Sequence, residues 1–261
     1  MQPFRLAERR RRETRIALIG VAIGLVLILL LVLGLWLVTR NRHQAPAAST
    51  PLIKAAPTTP ASPPASKNCL WFPAGPDPNI KDVGTPPTTL PVPAPTTMTI
   101  TTSRGVLEVH VDAATTPCTV ASFSFLASKQ FFNNTACHRL VTTGLHLLQC
   151  GDPSGTGQGG PAYTFPDEHL SGIPANPDGS SIYRRGVVAM ANAGANSNGS
   201  QFFIVYQDSP LPPNYTEFGT VTSGLQVIDA VGAGGDDGAY AQDAGGGHPK
   251  LPITIRSLTV T

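Results

Sequence analysis

Met190-Ala191-Asn192-Ala193-Gly194-Ala195-Asn196-Ser197-Asn198-Gly199-Ser200-Gln201-Phe202-Phe203-Ile204 is the stretch on which the reading of this chain turns. Residues 186–191 and 201–206 read as two β-strands, because short apolar runs flank a loop of Gly, Asn and Ser. Phe202 and Phe203 point to opposite faces of the second strand, so one belongs to a core and the other is free to line a groove.

Working outward, residues 138–142 and 145–149 read as two short strands around a turn. Residues 98–102 and 106–111 alternate apolar and polar in the β manner, joined at Ser103-Arg104-Gly105 as a hairpin. Thr116-Pro117 opens a helix, a capping residue followed by proline at the first helical position, with Val120, Phe123, Leu126 and Ala127 on one face. A second short helix falls at 223–231 and a closing strand at 253–260. Many short strands with two helices predict a mainly β domain, a closed antiparallel barrel capped by helices. Periodicity alone leaves sandwich and barrel undecided.

Upstream the composition changes. Residues 16–38 carry no charge and are almost all Ile, Leu, Val, Ala or Gly. As a helix they would extend roughly 34 Å, enough to cross a bilayer core of ~30 Å. The six arginines of residues 1–15 keep that end inside, so the expected organisation is a cytoplasmic basic tail (1–15), a transmembrane helix (16–38), a disordered linker rich in Pro, Ala, Ser and Thr (39–68), an irregular arm (69–96) and the domain (97–261). Localisation would be single-pass in the cell membrane with the domain extracytoplasmic. A cleaved signal peptide is the rival, but its apolar region is normally shorter. Trp71 and Phe72 are expected to pack the arm on the domain.

Charge follows the same divisions. Residues 1–40 hold seven Arg and two Glu, residues 41–98 four basic and two acidic side chains, and residues 99–261 seven basic and twelve acidic, so the net +2 of the chain conceals a domain at −5. A mildly acidic domain without a basic patch argues against a nucleic-acid partner.

All four cysteines, Cys69, Cys118, Cys137 and Cys150, follow the apolar span. An oxidising compartment favours disulfides, and four cysteines permit three pairings. Joining Cys137 to Cys150 would staple the ends of a hairpin, leaving Cys69 to pin the arm to Cys118; four buried thiols are the alternative. No metal site is expected, since there is no CxxC and no fitting His pair.

Three segments together carry a family pattern: Cys137-His138-Arg139-Leu140 with Leu148-Gln149-Cys150-Gly151-Asp152, the stretch quoted at the outset, and Leu211-Pro212-Pro213-Asn214-Tyr215-Thr216-Glu217-Phe218-Gly219. In order and spacing they resemble the cyclophilin family of peptidyl-prolyl cis–trans isomerases over about residues 97–261. The resemblance implies an eight-stranded β-barrel closed by two helices, with the active groove on its outer face. It implies that Arg139 is the catalytic arginine and that Gln149 holds it. Ala191 and Asn192 would bind the substrate backbone, Gln201 would be a polar groove residue, Phe203 the floor of the proline pocket and Leu211 its wall.

That chemistry needs neither cofactor nor metal. An X–Pro amide rotates slowly because resonance gives its C–N bond double-bond character, with a barrier of about 18–20 kcal/mol. A fixed guanidinium can donate to the nitrogen as it regains its lone pair, or polarise the carbonyl, while an apolar pocket grips the ring.

Some positions depart from the family. The segment from Arg139 to Gln149 carries an insertion that removes one pocket phenylalanine, leaving Leu145, His146 or Leu147 to fill the space; Leu147 is the expected one. Tyr215 stands where many members have His, keeping a flat ring with a polar tip. Pro210 stands where a tryptophan often contacts cyclosporin, so weak cyclosporin binding is expected.

Alone, Arg139 would read as a surface arginine; the flanking motifs reverse that. His138 is given no catalytic role. Gly155, Gly157 and Gly160 satisfy GxGxxG, but Pro161 and Tyr163-Thr164-Phe165-Pro166 follow with no helix, so this is a loop and not a dinucleotide site. Asn133, Asn198 and Asn214 fit glycosylation sequons. The leading function is an extracytoplasmic prolyl isomerase acting on proline-containing polypeptide segments and assisting folding. The alternative is a proline-peptide binding chaperone or scaffold with little or no turnover.

Overall fold

The computed structural model describes residues 68–242 and 244–261. The basic tail, the apolar span at 16–38 and nearly all of the linker lie outside the described residues. Among the described residues no helix is long and apolar enough to cross a membrane.

Nine strands form the main sheet: β1 (Thr97–Thr102), β2 (Gly105–Val111), β3 (Thr135–Ala136), β4 (Arg139–Val141), β5 (Leu147–Cys150), β6 (Val187–Met190), β7 (Phe202–Val205), β8 (Glu217–Ser223) and β9 (Thr254–Val260). Their spatial order is β3-β9-β1-β2-β8-β6-β7-β5-β4, with every neighbouring pair antiparallel. The edge strands β3 and β4 are consecutive in the chain, separated only by Cys137 and His138, so the sheet must curl until its ends meet. Along this seam the Cys137 N–H donates to Ile253 O at 3.0 Å, and Leu140 exchanges backbone bonds with Gly247. The expected closed eight-stranded barrel is therefore corrected: the sheet has a ninth strand, and a covalent link replaces a β-ladder at the seam. Thr135–Ala136 is too short to show an alternation.

β1 and β2 alternate as their sequence predicts, burying Met98, Ile100, Leu107, Val109 and Val111. Inside the curl Phe123 stacks on Phe132 at 5.3 Å between centroids, with Phe218 at 4.7 Å and Phe202 at 5.6 Å. Truncating a ring in such a cluster costs ~3–5 kcal/mol. Every residue of β7 is buried, because both of its faces are covered: Phe202 and Ile204 enter this core, while Phe203 and Val205 join a second apolar cluster with Leu147, Tyr183 and Leu211.

β8 gives no strong signal in the sequence, since only Phe218 of Glu217–Ser223 is buried. Gly219 lets it lie between β2 and β6: a Cβ there would sit 2.8 Å from His110 O. α1 (Pro117–Ser128) begins where expected, but Thr116 makes no side-chain cap. The carboxylate of Glu168 caps it instead, accepting from the N–H groups of Cys118 at 3.0 Å and Thr119 at 2.8 Å. Satisfying otherwise unpaired amides at the positive end of a helix typically contributes ~1 kcal/mol. α2 (Leu225–Gly234) starts two residues later than expected, after Gly224 at φ 86°.

The arm has structure of its own. Phe72–Pro73 pairs antiparallel with Tyr163–Thr164, and Ile80–Lys81 pairs in parallel with Gly160–Pro161. Trp71 packs edge-on to Tyr163 and Phe165, at 5.3 and 5.4 Å. The expectation for Phe72 is corrected, as its backbone pairs while its ring stays exposed. Disulfides join Cys69 to Cys118 and Cys137 to Cys150, with Cα–Cα distances of 5.3 and 4.0 Å.

Candidate active site

Backbone register creates the centre of the site. β4 and β5 place Arg139 opposite Gln149, and β5 and β7 place Gln149 opposite Phe203. Arg139 Nη1 donates to Gln149 Oε1 at 3.0 Å, and Gln149 Nε2 donates to Gln201 Oε1 at 2.9 Å. Gln201 Nε2 in turn donates to the carbonyls of Gly157 and Gly159, each at 2.9 Å. The GxGxxG loop is thus a loop that buttresses a side-chain relay, organised by buried Asp152, which accepts from Ser154 and Gly157. Burial pushes the Asp152 carboxyl up, but these donors outweigh it and hold it below its ordinary value.

The other side of Arg139 is held by a segment the sequence did not mark. Its Nε donates to Gly245 O at 3.0 Å and its Nη2 to Ala244 O. That turn is braced by a relay in which Tyr240 Oη meets His248 Nε2 at 2.7 Å and His248 Nδ1 meets Asp237 Oδ2 at 2.9 Å. Its dense Gly content hides it from any periodicity test. Among the described residues Arg139 has no carboxylate partner; all its acceptors are neutral oxygens. Its geometry is therefore fixed by neutral groups among the described residues. Burial lowers its pKa from the ordinary value, and the hydroxyls of Tyr215 and Tyr240 push the other way.

The guanidinium borders a cleft of about 510 Å³. Arg139, Gln149, Leu147, Ala191, Asn192, Phe203, Leu211 and Tyr215 all line it. Gln201 does not; it lines an adjoining cleft of about 580 Å³, which shares Gln149, Ala191 and Asn192 with the first. Leu145 lines the first cleft beside Leu147. His146 turns away, edge-on to Tyr206 at 5.7 Å. Leu211 reaches the cleft because Ser209–Leu211 pairs with Ser181–Tyr183. The Tyr215 ring stands at 85° to Phe203, 5.5 Å between centroids.

Asn192 is anchored by its side chain, with Nδ2 donating to Asn214 O at 2.9 Å. Its own backbone N–H and C=O make no hydrogen bond among the described residues. Asn198 is fully buried and donates to Asp167, so its sequon is inaccessible. His138 is buried with both ring nitrogens unpartnered. Desolvation lowers its pKa, and Arg139 adds to this against an opposing pull from Asp152. No cluster of His, Cys, Asp and Glu that could hold a metal occurs among the described residues.

A curled antiparallel sheet with an arginine fixed beside an apolar cleft on its outer face defines a cyclophilin-like protein. Residues 97–260 match the family described as cyclophilin type peptidyl-prolyl cis-trans isomerase/CLD, and the chain belongs to it. It is 45% identical over 172 residues to a protein of Mycobacterium leprae named probable peptidyl-prolyl cis-trans isomerase B, covering 64% of this chain and 57% of that one. The protein of the same name from Mycobacterium tuberculosis is 43% identical over 200 residues, covering 74% of this chain and 62% of that one. The chain thus spans less than two thirds of the length of these relatives. Among solved structures, a cyclophilin type peptidyl-prolyl cis-trans isomerase of Cryptosporidium parvum superposes with a TM-score of 0.52 at 29% identity, covering 64% of this chain and 97% of that one. The same enzyme has also been solved in the presence of the dipeptide Ala-Pro.

Proposed function

We propose that this protein is a peptidyl-prolyl cis–trans isomerase, and that the cleft between Arg139 and Phe203 is its active site. The observation that carries this reading is the Arg139 guanidinium, held from both sides by neutral oxygens beside an apolar cleft. The pyrrolidine ring would sit on Phe203 between Leu147, Leu211 and Tyr215, and the residue before it would pair with the free peptide groups of Asn192. With the ring gripped and the chain held, rotation about the C–N bond breaks no covalent bond. Its obstacle is the lost amide resonance, about 18–20 kcal/mol in water. A guanidinium N–H aimed at the pyramidalising nitrogen favours the twisted state over either planar one, which is what accelerates a reaction. The relative solved with Ala-Pro supports a proline-containing substrate.

We further propose that the domain works outside the cytoplasm on a membrane tether, supported by the uncharged span at 16–38 and by two disulfides. Cyclosporin should bind weakly, since Pro210 offers no indole where the ligand would rest.

Exchange spectroscopy on an Ala-Pro peptide tests the isomerase reading. Catalytic amounts of protein should broaden and exchange the cis and trans resonances. Saturable binding without exchange would favour a proline-binding chaperone.

A further inference from the structure

The second cleft is not built by the family domain alone. Ala74, Gly75, Pro76, Asp77 and Ile80, all upstream of the family match at 97–260, form one wall of it. Gln149, Ala191 and Asn192 join it to the proline cleft, so a polypeptide with its proline beside Arg139 continues past the arm. The wall is fixed. Cys69 is bonded to Cys118 on α1, Ala74 N–H donates to Ala162 O at 3.0 Å, and Lys81 Nζ donates to Phe131 O at 3.1 Å. Two short strand pairs hold either end of the segment.

Within that wall Asp77 is exposed and is the only charged residue among those lining the cleft. One carboxylate oxygen, Oδ1, closes a turn by accepting from Asn79 N–H at 2.7 Å. The other accepts no hydrogen bond among the described residues, and no cation pairs with it there. Across the cleft stand neutral amides and hydroxyls, among them Gln149, Gln158, Asn192 and Ser197. A lysine or arginine would find there an unpaired carboxylate ringed by neutral oxygens, whereas a glutamate would be repelled.

We propose that the arm is part of the substrate-binding surface and that Asp77 makes it select polypeptides with a lysine or arginine close to the target proline. The inference rests on the isomerase reading, but it concerns selection and not turnover.

The test uses the full chain and a peptide series carrying Lys, Ala or Glu at each of the positions flanking the proline. Both kcat/KM for isomerisation and peptide affinity by fluorescence anisotropy are measured. At one position the Lys peptide should exceed the Glu peptide by on the order of 2- to 5-fold, the range an exposed charge pair supports. Asp77→Asn should abolish that ratio and Asp77→Lys should invert it. Raised salt should compress the ratio. Equal treatment of Lys and Glu at every position, or a ratio unaltered by either substitution, overturns the proposal. If no peptide is turned over, the isomerase reading fails, and a charge ratio in affinity that Asp77→Lys inverts still upholds the arm's role.

Discussion

Arg139 and Gln149 face each other in register across β4 and β5, and Arg139 Nη1 donates to Gln149 Oε1 at 3.0 Å. The bond crosses an antiparallel pair whose ends the Cys137–Cys150 disulfide ties together. Arginine orientation is thus set by strand pairing, before any substrate arrives.

Removing the amide should loosen the guanidinium without emptying the cleft. Gln149→Leu is expected to lower kcat by roughly tenfold, the worth of about one hydrogen bond, with KM little changed. Steady-state kinetics on one proline peptide checks this; an equal loss in KM alone would point to binding instead.

The turn holding Arg139 from the other side depends on Tyr240, His248 and Asp237. The His248 ring holds the Asp237 carboxyl at about 2, well below its ordinary value. Tyr240→Phe and His248→Ala should each lower kcat several-fold while the fold, followed by circular dichroism, is retained. His248→Ala, which lies outside the cleft lining, should leave the affinity of a proline peptide measured by calorimetry nearly unchanged.

His138 should stay neutral in the folded protein. Desolvation and then the Arg139 charge depress its pKa below the ordinary 6.5, despite Asp152. The unfolded chain therefore takes up this proton first, so its contribution to stability is complete above about pH 6.5 and is lost as pH falls through the folded value. NMR titration should place the His138 midpoint below the ordinary value of a free imidazole. A midpoint at or above the ordinary value would contradict this environment.

The disulfides close separations of 49 and 13 residues. Loop-closure entropy then assigns ~4 kcal/mol to Cys69–Cys118 and ~3 kcal/mol to Cys137–Cys150. Reductant should lower the melting temperature by roughly 10 °C or more. Cys69→Ser with Cys118→Ser should free the arm yet spare turnover of a short Ala-Pro peptide, whereas Cys137→Ser with Cys150→Ser should impair it.

Much of this site was legible because it is strand-borne. Arg139, Gln149 and Phe203 sit at fixed registers, and the motif stretches carry them in order. The alternation of Phe202 and Phe203 put the two rings on opposite faces without saying which one enters the core. What escaped lies where local pattern is weakest. Tyr240, Ala244 and Gly245 act through a glycine-rich turn, two of them by backbone oxygens that any residue possesses. Glu168 caps α1 from some 50 positions away in the chain, a contact no local capping rule can see. β8 escaped because one face of it is solvated and Gly219 interrupts its apolar pattern.

The central claim is that the Arg139 guanidinium accelerates rotation and does not merely decorate the cleft. Its most direct test is the isomerisation rate of Arg139→Ala beside wild type, with peptide affinity measured on the same samples. Loss of one preorganised donor should cut kcat/KM by about 10²–10³ while affinity changes far less. A rate within a few-fold of wild type, in a folded variant that still binds peptide, would contradict the account.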